Sequence, residues 1–192
     1  MRKLAFLIIP LILILALHSL CSAQENKTLV GIDILTGFGW GKLRAQDNYK
    51  LTPLSVAFSF DLKHLVQKIK LNPKSLIHLQ VEPFLNTVND PRSNLETGAS
   101  FWLKLGLLGE ESKLQPYFKI GAGLLYMTQH TREQATQFNF TEQIGVGTHY
   151  YFSKNTALTL EGRWRHLSNA GIKHPNQGIN TYFVLTGISY KF

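Results

Sequence analysis

One cysteine in 192 residues excludes an intrachain disulfide and any multi-cysteine metal cluster. No stretch reaches the 18 consecutive apolar residues of a membrane-spanning helix. Acids are scarce, 12 against 20 lysines and arginines, and charged residues make up only 17% of the chain. So little charge beside a 44% hydrophobic content excludes a disordered chain. His64, His78, His130 and His149 lack metal-ligand spacing, and the glycines recur within strand-like stretches rather than between a strand and a helix. No metal and no cofactor is therefore expected. The length suits one domain of ordinary size. A mean hydropathy close to zero suggests a soluble protein, unless apolar residues are confined to alternate positions.

The first segment has the order of a secretory signal: basic Met1-Arg2-Lys3, an apolar run from Leu4 to Leu17, then small residues at Cys21-Ser22-Ala23. The run contains Pro10 and is too short to span a bilayer comfortably. Bulky Leu20 argues against lipidation of Cys21. The expected division is a signal peptide over 1–23 and one domain over 24–192. Removing Arg2 and Lys3 leaves 18 cations against 12 acids, a charge of +6. Export argues against nucleic acid as partner and favours anionic surfaces, phosphorylated lipids among them.

The remainder alternates with period 2, the mark of strands with two unlike faces. Eight such segments are predicted, at 28–41, 51–62, 76–86, 98–109, 115–127, 137–152, 156–168 and 180–192. A short helical turn is allowed at His64–Lys70. One face carries residues such as Ile34, Phe58, Leu79, Phe101, Ile120, Ile144, Leu160 and Val184; the other carries Asp33, Asp61, Glu82, Lys104, Lys119, Glu161, Arg163 and Arg165. A secreted sandwich or lipocalin-like barrel would bury the apolar face. A membrane barrel would turn it to lipid and pair the charges inside. Aromatics near strand ends (Trp40, Tyr150, Phe152, Tyr182, Tyr190) fit interfacial girdles, and the chain stops on Tyr190-Lys191-Phe192, as outer-membrane barrels do. The expected fold is all-β, an eight-stranded antiparallel up-and-down transmembrane β-barrel. A barrel this small is filled by side chains and is no porin.

Two polar residues interrupt an apolar row. Even-numbered residues of the seventh strand run Leu158, Leu160, Gly162, Trp164, His166, Ser168. His166 and Ser168 point the same way, about 7 Å apart along the strand. With both termini periplasmic, the pair lies beside the outer leaflet. Ionisable groups facing lipid are rare and costly. Here His would take the Ser proton, and the alkoxide would attack a lipid ester. The plainer alternative is a girdle histidine followed by the first residue of a loop.

The stretch Arg165-His166-Leu167-Ser168-Asn169-Ala170-Gly171-Ile172-Lys173, continued by Pro175-Asn176-Gln177-Gly178-Ile179-Asn180, resembles the signature of the lipid A 3-O-deacylase (PagL-type) family. The resemblance implies an eight-stranded outer-membrane esterase that removes the 3-linked acyl chain of lipid A, its lipopolysaccharide partner. It implies His166 as general base and Ser168 as nucleophile. Backbone N–H groups of Ala170 or Gly171, with the Asn176 amide, would form the oxyanion hole. Trp164, Asn169 and Lys173 are expected to touch the substrate, and His174 to join Lys173 near its phosphates.

One position departs: the family's acid falls where this chain has Asn180. An Asn can orient His but offers no full charge to the imidazolium. A tight turn at Ser153-Lys154-Asn155 would pair Phe152 with Thr156 and set Glu142 directly opposite His166, with Cβ atoms about 5 Å apart. Glu142 is therefore expected as a substitute acid. Two other functions stay open: a non-catalytic structural or adhesive barrel that kept the motif, and an acyl-transfer enzyme acting on another outer-leaflet lipid.

Overall fold

The computed structural model describes residues 29–45, 47–68, 74–129 and 131–192, so the expected signal peptide lies outside the described residues. Eight strands follow one another: β1 (Leu29–Leu43), β2 (Asp47–Asp61), β3 (Ser75–Asp90), β4 (Asn94–Gly109), β5 (Leu114–Met127), β6 (Phe138–Tyr151), β7 (Thr156–Ser168) and β8 (Ile179–Lys191). A short helix, α1 (Lys63–Lys68), lies between β2 and β3 and overlaps the predicted helical turn at His64–Lys70. Each strand pairs with the next, and β1 pairs antiparallel with β8 to close the barrel. Closure removes both sheet edges, so every ladder hydrogen bond is made within the wall.

The strands are 13 to 16 residues long, whereas about 9–11 tilted residues cross a hydrocarbon core. Their ends therefore stand clear of it. β3 and β4 outrun their predicted segments because Asn86, Asn89, Asp90, Asn94 and Glu96 blur the alternation there. We call the end holding Leu43, Met127 and Ser168 the outer end; Leu29 and Phe192 lie at the other.

Alternation sorts the side chains as the membrane reading requires. Val146, Leu160, Phe101 and Ile120 point outward and are about half exposed or more, a continuous apolar belt that excludes the soluble sandwich. The inward charges pair. Lys119 Nζ meets Glu161 at 2.8 Å and Glu82 at 3.3 Å. Arg163 reaches Glu82 and Glu161, each at 2.6 Å. Lys104 pairs with Asp33 at 3.2 Å, and Arg165 with Glu96 at 2.8 Å. Trp102, wholly buried, is flanked by Lys119 and Arg163 at 4.3 and 4.6 Å from its ring. Cations on an aromatic face add attraction where water is excluded.

The interior differs from the sequence expectation in one respect. Towards its outer end Leu35, Leu43, Leu51, Val88, Leu125, Met127, Leu167, Ile179, Phe183 and Leu185 pack as one buried cluster beside the Arg165–Glu96 pair. The inward row thus carries aliphatic side chains as well as charges, while Glu96 on β4 and Asn139 and Thr141 on β6 keep it polar on those strands. An inward side chain needs only packed neighbours, so period 2 assigns its face without fixing its polarity.

Candidate active site

The register of β6 against β7 and of β7 against β8 builds the site. The Phe152 N–H donates to the Thr156 carbonyl at 3.2 Å, the pairing expected of the tight turn. From there the ladder brings Glu142 opposite His166 and Phe140 opposite Ser168. On the other side His166 faces Asn180 and Trp164 faces Tyr182. Glu142, His166 and Asn180 thus stand side by side on the outward face of three neighbouring strands.

His166 Nδ1 lies 2.7 Å from Asn180 Oδ1. A carbonyl oxygen can only accept, so Nδ1 carries a proton and the lone pair of the neutral ring falls on Nε2. The Trp164 ring stacks beside the imidazole, centroids 6.2 Å apart and planes 24° from parallel. Gly178 covers the ring from the following loop. Its φ of +71° belongs to the left-handed region, and a Cβ there would come within 2.5 Å of His166 Cε1 and 3.1 Å of Nε2. Only glycine provides both the backbone angle and the space. Between Asn180, Trp164 and Gly178 the imidazole is held in one orientation.

Glu142 does not join this arrangement. Among the described residues it makes no hydrogen bond or ion pair, and Nδ1 is engaged by Asn180. Strand pairing sets the two backbones opposite, but the exposed Glu142 side chain makes no hydrogen bond to the ring.

The loop after Ser168 is organised by Asn169, which is fully buried. Its backbone N–H donates to Asn176 Oδ1 at 3.0 Å, its amide nitrogen donates to the Lys173 carbonyl at 2.7 Å, and its Oδ1 accepts from the Gly171 N–H at 3.0 Å. Asn169 was expected to touch substrate; its amide is instead spent on holding this loop. Ala170 and Gly171 both have positive φ, 54° and 79°, and the Ile172 N–H closes the turn onto the Asn169 carbonyl at 3.1 Å. Two successive positive angles mark a turn of the I′ kind, and holding Ala170 there costs about 1–2 kcal/mol. Strain of that kind concentrates at functional sites. The Ala170 N–H points at Ser168 Oγ at 3.5 Å. The Gly171 N–H, expected in the oxyanion hole, is already engaged by Asn169. Lys173 and His174 are exposed on the loop.

Of two further groups here, the first was legible in part, through Trp40 and Tyr182 as girdle aromatics, and the second carried no signal in the sequence. Phe38, Trp40 and Tyr182 continue the aromatic row from Trp164 around the wall, with stacked centroids 6.0 and 6.1 Å apart. Glu133 and Gln134, in the loop between β5 and β6, lie against the loop that carries Asn176. That second contact joins residues some forty positions apart, with no local pattern to announce it.

An apolar belt around a closed eight-stranded wall, with paired charges inside, defines a small outer-membrane β-barrel. The model of the family described as lipid A 3-O-deacylase (PagL) matches residues 54–189, and the chain belongs to that family. The crystal structure of the outer membrane enzyme PagL is similar over 84% of this chain and 99% of that one, with a TM-score of 0.61 and 16% identity. The crystal structure of Neisserial surface protein A (NspA) is similar over 85% and 96%, with a TM-score of 0.57 and 12% identity. At such identities the two structures speak for the fold alone. No curated protein matches the sequence. The protein is a bacterial outer-membrane barrel of a lipid A deacylase family.

Proposed function

We propose that the protein is a serine esterase that hydrolyses the 3-O-linked acyl chain of lipid A, with Ser168 as nucleophile, His166 as general base and Asn180 as the group that orients His166. The observation that carries this reading is the 2.7 Å contact between His166 Nδ1 and Asn180 Oδ1. It leaves Nε2 as a base on the same lipid-facing row as Ser168. Family membership supplies the substrate class.

In this mechanism Ser168 rotates about Cα–Cβ from its contact with the Ala170 N–H towards His166 Nε2. Oγ attacks the ester carbonyl carbon as Nε2 takes its proton. The tetrahedral oxyanion is met by the Ala170 N–H and the Asn176 side-chain amide. Collapse breaks the bond to the 3-oxygen of the sugar, which leaves with the proton held on Nε2. Water, deprotonated by the same nitrogen, then attacks the acyl-enzyme. The free 3-hydroxy fatty acid departs and Ser168 is restored. Trp164 lies beside the acyl chain, and Lys173 with His174 faces the phosphates of the headgroup.

The test is mass spectrometry of lipid A from cells expressing the wild type, Ser168→Ala and Asn180→Ala. Loss of one 3-hydroxyacyl chain that requires Ser168 is the expected result. Unchanged lipid A in cells whose outer membrane holds folded wild-type barrel would refute the esterase and leave the non-catalytic barrel. Transfer of the released chain to another lipid would replace hydrolysis by acyl transfer.

A further inference from the structure

Glu133 and Gln134 are both fully buried at the outer end of the barrel, in the loop between β5 and β6. Burying a carboxylate there is costly unless its oxygens find partners. One does: Glu133 Oε1 accepts the backbone N–H of Ala45, in the loop between β1 and β2, at 2.8 Å. The other, Oε2, has no partner among the described residues, nor has either polar atom of the Gln134 amide. On its far side the same segment forms a short antiparallel ribbon with the loop after β7. Gln134 bridges Asn176, the Gln177 N–H donates to the Glu133 carbonyl at 3.0 Å, and the Ala135 N–H donates to the Pro175 carbonyl at 3.0 Å. Asn176 in turn accepts the Asn169 N–H, one residue after Ser168.

We propose that Glu133 is a positioning residue for the esterase site. Its carboxylate anchors the β5–β6 loop to the β1–β2 loop, and the ribbon passes that anchorage on to Asn176 and to the turn beside Ser168. The inference rests on the functional reading above, but the clamp itself is a structural feature with its own readout. What matters is the hydrogen-bond acceptor at the reach of a glutamate, since among the described residues Oε2 meets no cation. The mechanism needs the Asn176 amide and the Ala170 N–H placed to within a fraction of an ångström, and a small displacement of such groups costs one to two orders of magnitude in rate, roughly 10- to 100-fold.

The test compares Glu133→Gln, Glu133→Asp and Glu133→Ala in the full-length protein, purified in detergent, with lipid A as substrate. Heat-modifiable electrophoretic migration checks that each barrel is closed. Gln keeps the acceptor at the same reach; Asp keeps the charge but is one methylene short. Glu133→Gln is expected to retain kcat within about twofold, while Asp and Ala lower it roughly 10-fold or more with KM little changed. In parallel, hydrogen exchange at the Gln177 and Asn169 amides should quicken in Asp and Ala but not in Gln. Should Ala fail to fold, the Gln and Asp pair decides. An active Asp beside an inactive Gln would show that charge is what counts and overturn the proposal, as would wild-type rates and exchange in all three. Should the wild type itself release no acyl chain, the esterase reading fails, and the exchange pattern alone decides the clamp.

Discussion

Replacing Asn180 by Asp changes one atom of the side chain and puts a carboxylate where an amide oxygen now accepts from His166 Nδ1 at 2.7 Å. The two side chains have the same shape, so the imidazole, held also by Trp164 and Gly178, keeps its place. What changes is the charge facing the ring as it becomes an imidazolium during attack by Ser168. A hydrogen bond to a neutral acceptor contributes about 1 kcal/mol, and one between charged groups about 1.5–3. Asn180 is exposed, so solvent and headgroup ions screen part of the difference. A gain of about 1–1.4 kcal/mol in the transition state remains, roughly a 5- to 10-fold rise in kcat. Asn180→Ala removes the acceptor and frees Nδ1 from its tautomer, and should lower kcat about 10-fold or more. The assay is release of 3-hydroxy fatty acid from lipid A by purified protein at saturating substrate. An Asp variant no faster than wild type, or an Ala variant no slower, would falsify the role given to Asn180.

Gly178→Ala would drive a methyl group to within 2.5 Å of His166 Cε1 at a backbone angle alanine resists. It should reduce kcat by at least about 10-fold while the barrel stays heat-modifiable, and an unchanged rate would show the ring to be mobile. Glu142→Ala removes a carboxylate that makes no bond to the ring, so the rate should stay within about twofold; a large loss would restore Glu142 as the acid. Glu161→Ala strips Lys119 and Arg163 of one of their two carboxylates in a water-excluded interior. Breaking a buried ion pair from one side costs about 3–5 kcal/mol, measurable as a lower urea midpoint for unfolding in lipid vesicles.

Strand number, order and closure were legible because a two-sided wall writes its period into every segment. Leu158, Leu160, Trp164 and their neighbours had to face lipid once the charges of the other row were seen to need partners. The pairing of Glu142 with His166 was legible too, since a tight turn at Ser153–Asn155 propagates register by simple counting along β6 and β7. The exceptions to the outward row, His166 and Ser168, marked the site for the same reason.

Side-chain direction within a register was not legible. Facing backbones put both Glu142 and Asn180 beside His166, and only side-chain geometry decided that Asn180 takes Nδ1 while Glu142 makes no bond to the ring. Asn169 carried the family motif, yet its burial under the loop turns it from a substrate contact into a support for Asn176. Leu35, Val88 and Leu185 belong to the inward row by period, but that they join one buried cluster follows from the closed wall bringing their strands together. The clamp through Glu133 joins three loops far apart in the chain. Period and local pattern act over a few residues, so the sequence alone determined the wall and the row on which the site lies. The contacts that aim the histidine and brace its loop arise between distant segments, and only closure of the barrel brings those together.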